Sequence, residues 1–295
     1  MLGLLCLLAP LSVHAGEAVS FASADETPLY ADLYRSAAPV GGVLLVHGLQ
    51  SHAGWFEASG TAAFLAEQGF VTVAYDRRGS GKSGGVRGDT TSAAEFTADF
   101  AAALEVLKQA LREAGAASVP VHVVANCFAT RIAVPYAAAH PAEIASLVLL
   151  SPATHMRKNA SYGWAEKARI LAARDRSTFD TPLRDEDFVP NGAWFAWIRN
   201  DELGLRRVTA RFLKSANDLT EVMERELFHL ELPLLVVLAS QDALVDNQAV
   251  KSEFYVKYRG PKRLIELPGP HYTDFTPAQA ALRRALLDWF LQPMH

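Results

Sequence analysis

Five short runs, Val43–Val46, Val71–Tyr75, Val121–Ala125, Leu147–Leu150 and Leu234–Leu238, are apolar at nearly every position, and longer helix-patterned segments alternate with them. A strand apolar on both faces must be covered on both faces, so this pattern constrains the chain to an α/β architecture with a mostly parallel sheet flanked by helices. Val19/Phe21 and Leu29–Leu33 suit an antiparallel edge hairpin, and Leu264–Leu267 reads as the last strand. Ser92-Ala93-Ala94-Glu95 has the pattern of a capping box, and Phe96, Phe100, Leu104, Leu107 and Leu111 follow at helical spacing, so one face of that helix packs on the sheet. With 50% hydrophobic residues in 295, the chain can bury a large core. Its 28 Lys+Arg against 32 Asp+Glu are mixed along the chain, and no basic stripe exists to engage nucleic acid.

Two segments depart from the alternation. Leu2–Val13 is an apolar run ending in Val13-His14-Ala15, whose small residues suit signal-peptidase cleavage, yet it is too short to span a bilayer and lacks an opening Lys or Arg. Residues 1–17 are therefore either a leader for export or a plain N-terminal extension, and no other stretch has the length of a membrane span. From residue 155 to 231 no strong strand is visible, but tryptophans and phenylalanines concentrate. This reads as an inserted helical lid above the carboxyl ends of the strands, dividing the core into 18–154 and 232–295. Trp164, Trp194 and Trp197 are its candidates for lining a substrate pocket.

The chemistry concentrates at Ala125-Asn126-Cys127-Phe128-Ala129, where a strand passes through a one-residue turn directly into a helix. That is the context of a nucleophile elbow, written here A-x-C-x-A in place of G-x-S-x-G. With Leu45-Val46-His47-Gly48-Leu49 after the third strand and Asp76-Arg77-Arg78-Gly79-Ser80-Gly81-Lys82-Ser83 after the fourth, the chain resembles the α/β-hydrolase superfamily, most closely its monoacylglycerol lipase and lysophospholipase branch, from about Ala18 to Phe290. The GSGKS within the second loop is not a phosphate cradle, because Asp76 stands where the first glycine of a P-loop belongs and would repel the phosphates. The resemblance implies that the N–H groups of Leu49 and Phe128 form an oxyanion hole and that His47 packs the loop. It also implies that Asp242, in the loop after Leu238, is the triad acid, and His271, after Pro268-Gly269-Pro270, the base. Asp246 reads as a helix cap.

Cys127, Asp242 and His271 follow the nucleophile, acid, base order of that fold. A helix N-terminus and an imidazolium both favour a thiolate. Thiolate attack on an oxygen ester yields a less stable thioester, whereas attack on an acyl thioester is nearly balanced. The expected enzyme thus cleaves an acyl ester or thioester, CoA- or carrier-protein-linked substrates included, through an acyl-cysteine and without cofactor or metal. Dienelactone hydrolases and polyhydroxyalkanoate synthases show that related folds use a cysteine here for hydrolysis and for transfer. An acyltransferase or cyclase and a silent ligand-binding relative are the alternatives. A lone reactive thiol favours the cytoplasm over an oxidising compartment.

Overall fold

The computed structural model describes residues 16–292, so residues 1–15 of the candidate leader, Cys6 included, lie outside the described residues, while Glu17, expected to belong to that segment, is the first residue of a strand paired in the sheet. The chain opens with the hairpin β1 (Glu17–Ala22) and β2 (Pro28–Tyr34), then β3 (Gly41–Val46), α1 (Gly54–Ala58), α2 (Thr61–Glu67) and β4 (Phe70–Asp76). It continues through α3 (Ala93–Glu113), β5 (Val121–Asn126), α4 (Thr130–Ala139) and β6 (Ser146–Leu150). An insertion follows, with α5 (Trp164–Ala172), β7 (Thr178–Asp180), α6 (Asp185–Phe188), α7 (Gly192–Arg199), β8 (Arg207–Thr209) and α8 (Ala210–Glu226). The core resumes with β9 (Leu234–Ala239), α9 (Asn247–Ala249), β10 (Lys262–Leu267) and α10 (Gln279–Phe290).

The eight-stranded sheet has the order β1-β2-β4-β3-β5-β6-β9-β10. β2 runs antiparallel to its neighbours and every other pair is parallel. The all-apolar runs are buried along their length because both faces are covered: Leu44, Val73 and Val123 meet α3 and α4 on one face, while Leu45, Val124 and Val148 meet α2 and α10 on the other. This is the α/β-hydrolase fold. Among the described residues no helix is long and apolar enough to cross a membrane.

Two local expectations need correction. Ser92 does stand at the N-cap of α3, but it makes no side-chain capping bond. Glu95 instead accepts from the Thr91 N–H and the Thr90 hydroxyl, both at 2.8 Å, drawn outward by the Arg78 guanidinium at 3.2 Å. The insertion also holds an antiparallel ribbon, β7 against β8, whose three-residue strands are too short for a period-two pattern to show.

The GSGKS loop is shaped from within by Asp76. Its carboxylate accepts from the Ala53 N–H at 2.6 Å and the Lys82 N–H at 2.7 Å, tying the loop after β3 to the loop after β4. Gly81 has φ +51°, and a Cβ there would fall 2.1 Å from Asp76 Oδ2, so the carboxylate occupies the space a side chain would need. Asp76→Ala strands the buried Ala53 N–H and frees the part-buried Lys82 N–H, and is expected to lower the unfolding free energy by about 1–3 kcal/mol, measured by urea denaturation; a loss under about 0.5 kcal/mol would show that the clamp is dispensable.

Candidate active site

β5 ends in the centre of the sheet and α4 must start beneath its tip, so the chain reverses at one residue. Cys127 takes that reversal with φ 49°, in the left-handed region that a Cβ-bearing residue rarely adopts. Ala125 and Ala129 on either side are fully buried, small enough for the sheet and helix to close around the turn. Cys127 is the free cysteine among the described residues and is 2% exposed.

Loops after β9 and β10 bring two further residues to it. Asp242 Oδ1 accepts from the N–H groups of Leu244 at 2.8 Å and Val245 at 2.9 Å, leaving Oδ2 to accept from His271 Nδ1 at 2.8 Å. This fixes the histidine tautomer. His271 Nε2 is buried with no hydrogen-bond partner among the described residues, and the Cys127 sulfur is among its neighbours. Burial opposes a charge on His271, but the Asp242 carboxylate and the neighbouring Cys127 sulfur outweigh it and push the imidazole up to about 10. Burial likewise opposes ionisation of Asp242, yet the imidazolium and the two N–H groups hold it below the usual carboxylate range. Ser151, at φ 42° after β6, donates from its hydroxyl to the His271 carbonyl at 3.2 Å and anchors the loop. Asp246 caps α9, accepting from Gln248 and Ala249 N–H.

The loop after β3 passes over the sulfur. Arg77, fully buried, donates through Nη2 to the carbonyls of Gly48 at 2.8 Å and Leu49 at 3.1 Å. Because a trans peptide directs its N–H opposite its C=O, the bond to Gly48 turns the Leu49 N–H away from the guanidinium. His47 accepts the Arg77 N–H on Nε2 at 3.1 Å and so donates from Nδ1 to the Gly48 carbonyl at 2.8 Å. Burial and the adjacent Arg77 hold its charged form far out of reach. His47 is therefore a neutral strut. Arg77 and Arg131 also stand over the Phe128 ring, at 5.0 and 5.6 Å from its centroid.

The insertion closes over this cluster. Phe188 lies 5.7 Å from the His271 ring, and Phe212 of α8 stacks on Phe128 at 5.9 Å. Trp194 stacks on Phe275 at 4.5 Å and Trp197 meets Trp55 at 5.7 Å, so both join an aromatic cluster with Phe188 and Tyr272 beside the histidine. Trp164 does not: it is 89% exposed on α5, because the buried face of that helix is carried by Ile170. Asp201, after α7, accepts from Trp55 Nε1 at 2.8 Å and His52 Nε2 at 3.1 Å, pinning the insertion to the loop after β3. Sequence reasoning missed Asp201, Arg77 and Tyr272, since their contacts are made across segments remote in the chain.

Comparison with known proteins agrees with this architecture. The model of the family described as Serine aminopeptidase, S33 matches residues 37–269, and the chain belongs to that family. It is 25% identical over 213 residues to a monoacylglycerol lipase of Mycolicibacterium smegmatis, covering 70% of this chain and 72% of the relative. Among solved structures it is similar to a monoacylglycerol lipase of Paleococcus ferrophilus, with TM-score 0.74, 22% identity and 89% and 98% of the two chains covered. It is also similar to a soluble variant of the Saccharomyces cerevisiae monoglyceride lipase, with TM-score 0.80, 17% identity and 96% and 97% covered.

The raised His271 makes the stability of the fold depend on pH. Its charged form stabilises the fold fully below the ordinary 6.5, and that contribution is lost as pH rises through about 10. Cys127→Ala removes the sulfur that helps Asp242 sustain it, so the His271 ring proton resonances should titrate at lower pH in the variant than in the wild type; identical titration curves would show that the sulfur does not act on the imidazole.

Proposed function

We propose that this protein is a hydrolase of acyl esters and thioesters that works through an acyl-cysteine formed on Cys127. The observation that carries the reading is the orientation of His271: Nδ1–H is committed to Asp242, and Nε2 is left unpartnered beside a sulfur held at a strand-to-helix reversal. In this reading the Cys127 thiolate attacks the carbonyl carbon, the π pair moves to oxygen, and the N–H groups of Leu49 and Phe128 receive the oxyanion. Collapse restores the carbonyl and expels the leaving group, which takes its proton from His271 Nε2. A water then gives a proton to Nε2 and attacks the thioester, releasing the acid and regenerating the thiolate.

The insertion acts as the lid. Cys127 and His271 are each 2% exposed and Asp242 is 3% exposed, so a substrate enters only when the aromatic cluster parts. Apolar rings around the histidine suit a hydrocarbon acyl group. The relatives above carry the name monoacylglycerol lipase, which makes a monoacylglycerol the first ester to assay. The thiol adds a preference for thioesters, where the acyl-enzyme and substrate are of similar energy.

The test is a matched series of monoacylglycerols, aryl esters and acyl thioesters with wild type, Cys127→Ala and His271→Ala. Both variants should remain folded with Tm within a few degrees and lose at least about 10³-fold in kcat/KM. Retention of activity within tenfold by Cys127→Ala would overturn the acyl-cysteine reading. Burial from water also favours transfer as a second outcome, recognised when an added alcohol or amine collects more acyl product than water does.

A further inference from the structure

The loop that carries Asp242 has its backbone groups engaged by two different parts of the molecule. The N–H groups of Leu244 and Val245 serve the Asp242 carboxylate itself. The carbonyls of Asp242, Ala243, Leu244 and Val245 are all taken by the opening stretch of the insertion. Arg157 Nε donates to the Asp242 carbonyl at 3.0 Å and to the Val245 carbonyl at 3.1 Å. The Arg157 N–H donates to Leu244 at 2.8 Å, and Asn159 Nδ2 donates to Ala243 at 3.1 Å. On either side of Arg157 the contact continues: Met156 forms an antiparallel bridge with Val245, and the His155 carbonyl accepts the Asp246 N–H at 2.9 Å.

The core holds only the two ends of this loop. Ser240 and Gln241 N–H donate to the carbonyls of Leu267 at 2.8 Å and Gly269 at 2.9 Å, and Asn247 Nδ2 donates to the Ala239 carbonyl at 2.7 Å. Between those ends, no other donor among the described residues reaches the carbonyls of residues 242–245. The acid therefore projects from a span whose outer side is fixed by the insertion, and its one link to the base is the 2.8 Å bond from His271 Nδ1 to Oδ2. A shift of the span by a fraction of an ångström would lengthen that bond, and such supporting contacts decide how well a catalytic group is held.

We infer that Arg157, assisted by Asn159, is a positioning residue of the triad, clamping the acid loop so that Asp242 Oδ2 stays on the Nδ1–H of His271. The inference deepens the acyl-cysteine reading, in which His271 must keep one tautomer and leave Nε2 free for the proton it gives and takes. Arg157 touches no substrate and moves no proton. Because it belongs to the insertion, the lid and the triad share a seam. An opening that leaves the triad assembled must therefore begin beyond Asn159.

Arg157→Met keeps the stem and removes the Nε–H at an exposed position, so the fold should persist with Tm nearly unchanged. Loss of a triad acid costs about 10⁴-fold and a misplacement of about 1 Å about 10²-fold, so a fall of about 5- to 50-fold in kcat is expected, with KM within about twofold. In an Asp242→Asn background the same change should cost nothing further, because the group it positions is already lost. The Asp242 carboxylate leads the groups that raise His271 against burial, so its ring resonances should titrate about half a pH unit or more lower in Arg157→Met. Asn159→Ala, also exposed, removes only the bond to Ala243 and should act in the same direction by a few-fold, which keeps the clamp testable should Arg157→Met fold poorly. An unchanged kcat and His271 titration in a folded Arg157→Met, or an equal loss with and without the Asp242 carboxylate, overturns the inference. The titration needs no turnover: a wild type that forms no Cys127 adduct with an acyl thioester defeats the acyl-cysteine reading, and the His271 curves still decide the clamp.

Discussion

Between β5 and α4 the chain changes direction within one residue, and Cys127 absorbs the change at φ 49°, a backbone state that costs a Cβ-bearing residue on the order of 1–3 kcal/mol. That cost is sustained by the elements on either side: β5 is the inner strand between β3 and β6, and Ile132 and Ala133 of α4 are fully buried against it. The reversal can relax only if the centre of the sheet relaxes with it. Its result is a sulfur at the carboxyl edge of the sheet, at the start of a helix, where the loops after β3, β9 and β10 converge. A second non-glycine residue at positive φ, Ser151 at the tip of the adjacent β6, serves the same place by holding the His271 carbonyl.

Rigidity around the sulfur comes from the end of β4. Asp76 ties two loops together through their N–H groups, Arg77 holds the carbonyls of Gly48 and Leu49, and His47 accepts the Arg77 N–H. Arg77 is buried without a carboxylate in direct contact, and its Nε and Nη1 have no partner among the described residues. Burial accordingly lowers it to about 10. The carbonyls and the face of Phe128 at 5.0 Å offset part of that desolvation.

The strands were legible because each is apolar on both faces, and the elbow because a cysteine flanked by alanines joins a strand to a helix through the single 3-10 turn Cys127–Ala129. His271 and Asp242 were reached through the order of motifs along the chain. What stayed hidden depends on contacts between distant segments. The phenol of Tyr272 meets Ser51 across 221 positions, and Asp201 meets His52 across 149, distances over which no local pattern speaks. Trp164 illustrates the converse: a tryptophan in an aromatic-rich insertion invites a place in the pocket, but the facing of a short helix with few apolar positions is decided by packing, and Ile170 took the inside. Glu95 departed from the capping pattern because Arg78 and the two threonines compete for its carboxylate.

The chemistry turns on whether Cys127 carries the acyl group. Intact-protein mass spectrometry after brief exposure to an acyl thioester, followed by peptide mapping, reads this directly. A mass increment equal to the acyl group, confined to the peptide containing Cys127, accumulating in His271→Ala only slowly and in Cys127→Ala not at all, is the predicted result. Turnover of the thioester by the wild type with no increment on Cys127, or the same increment in Cys127→Ala, would contradict it.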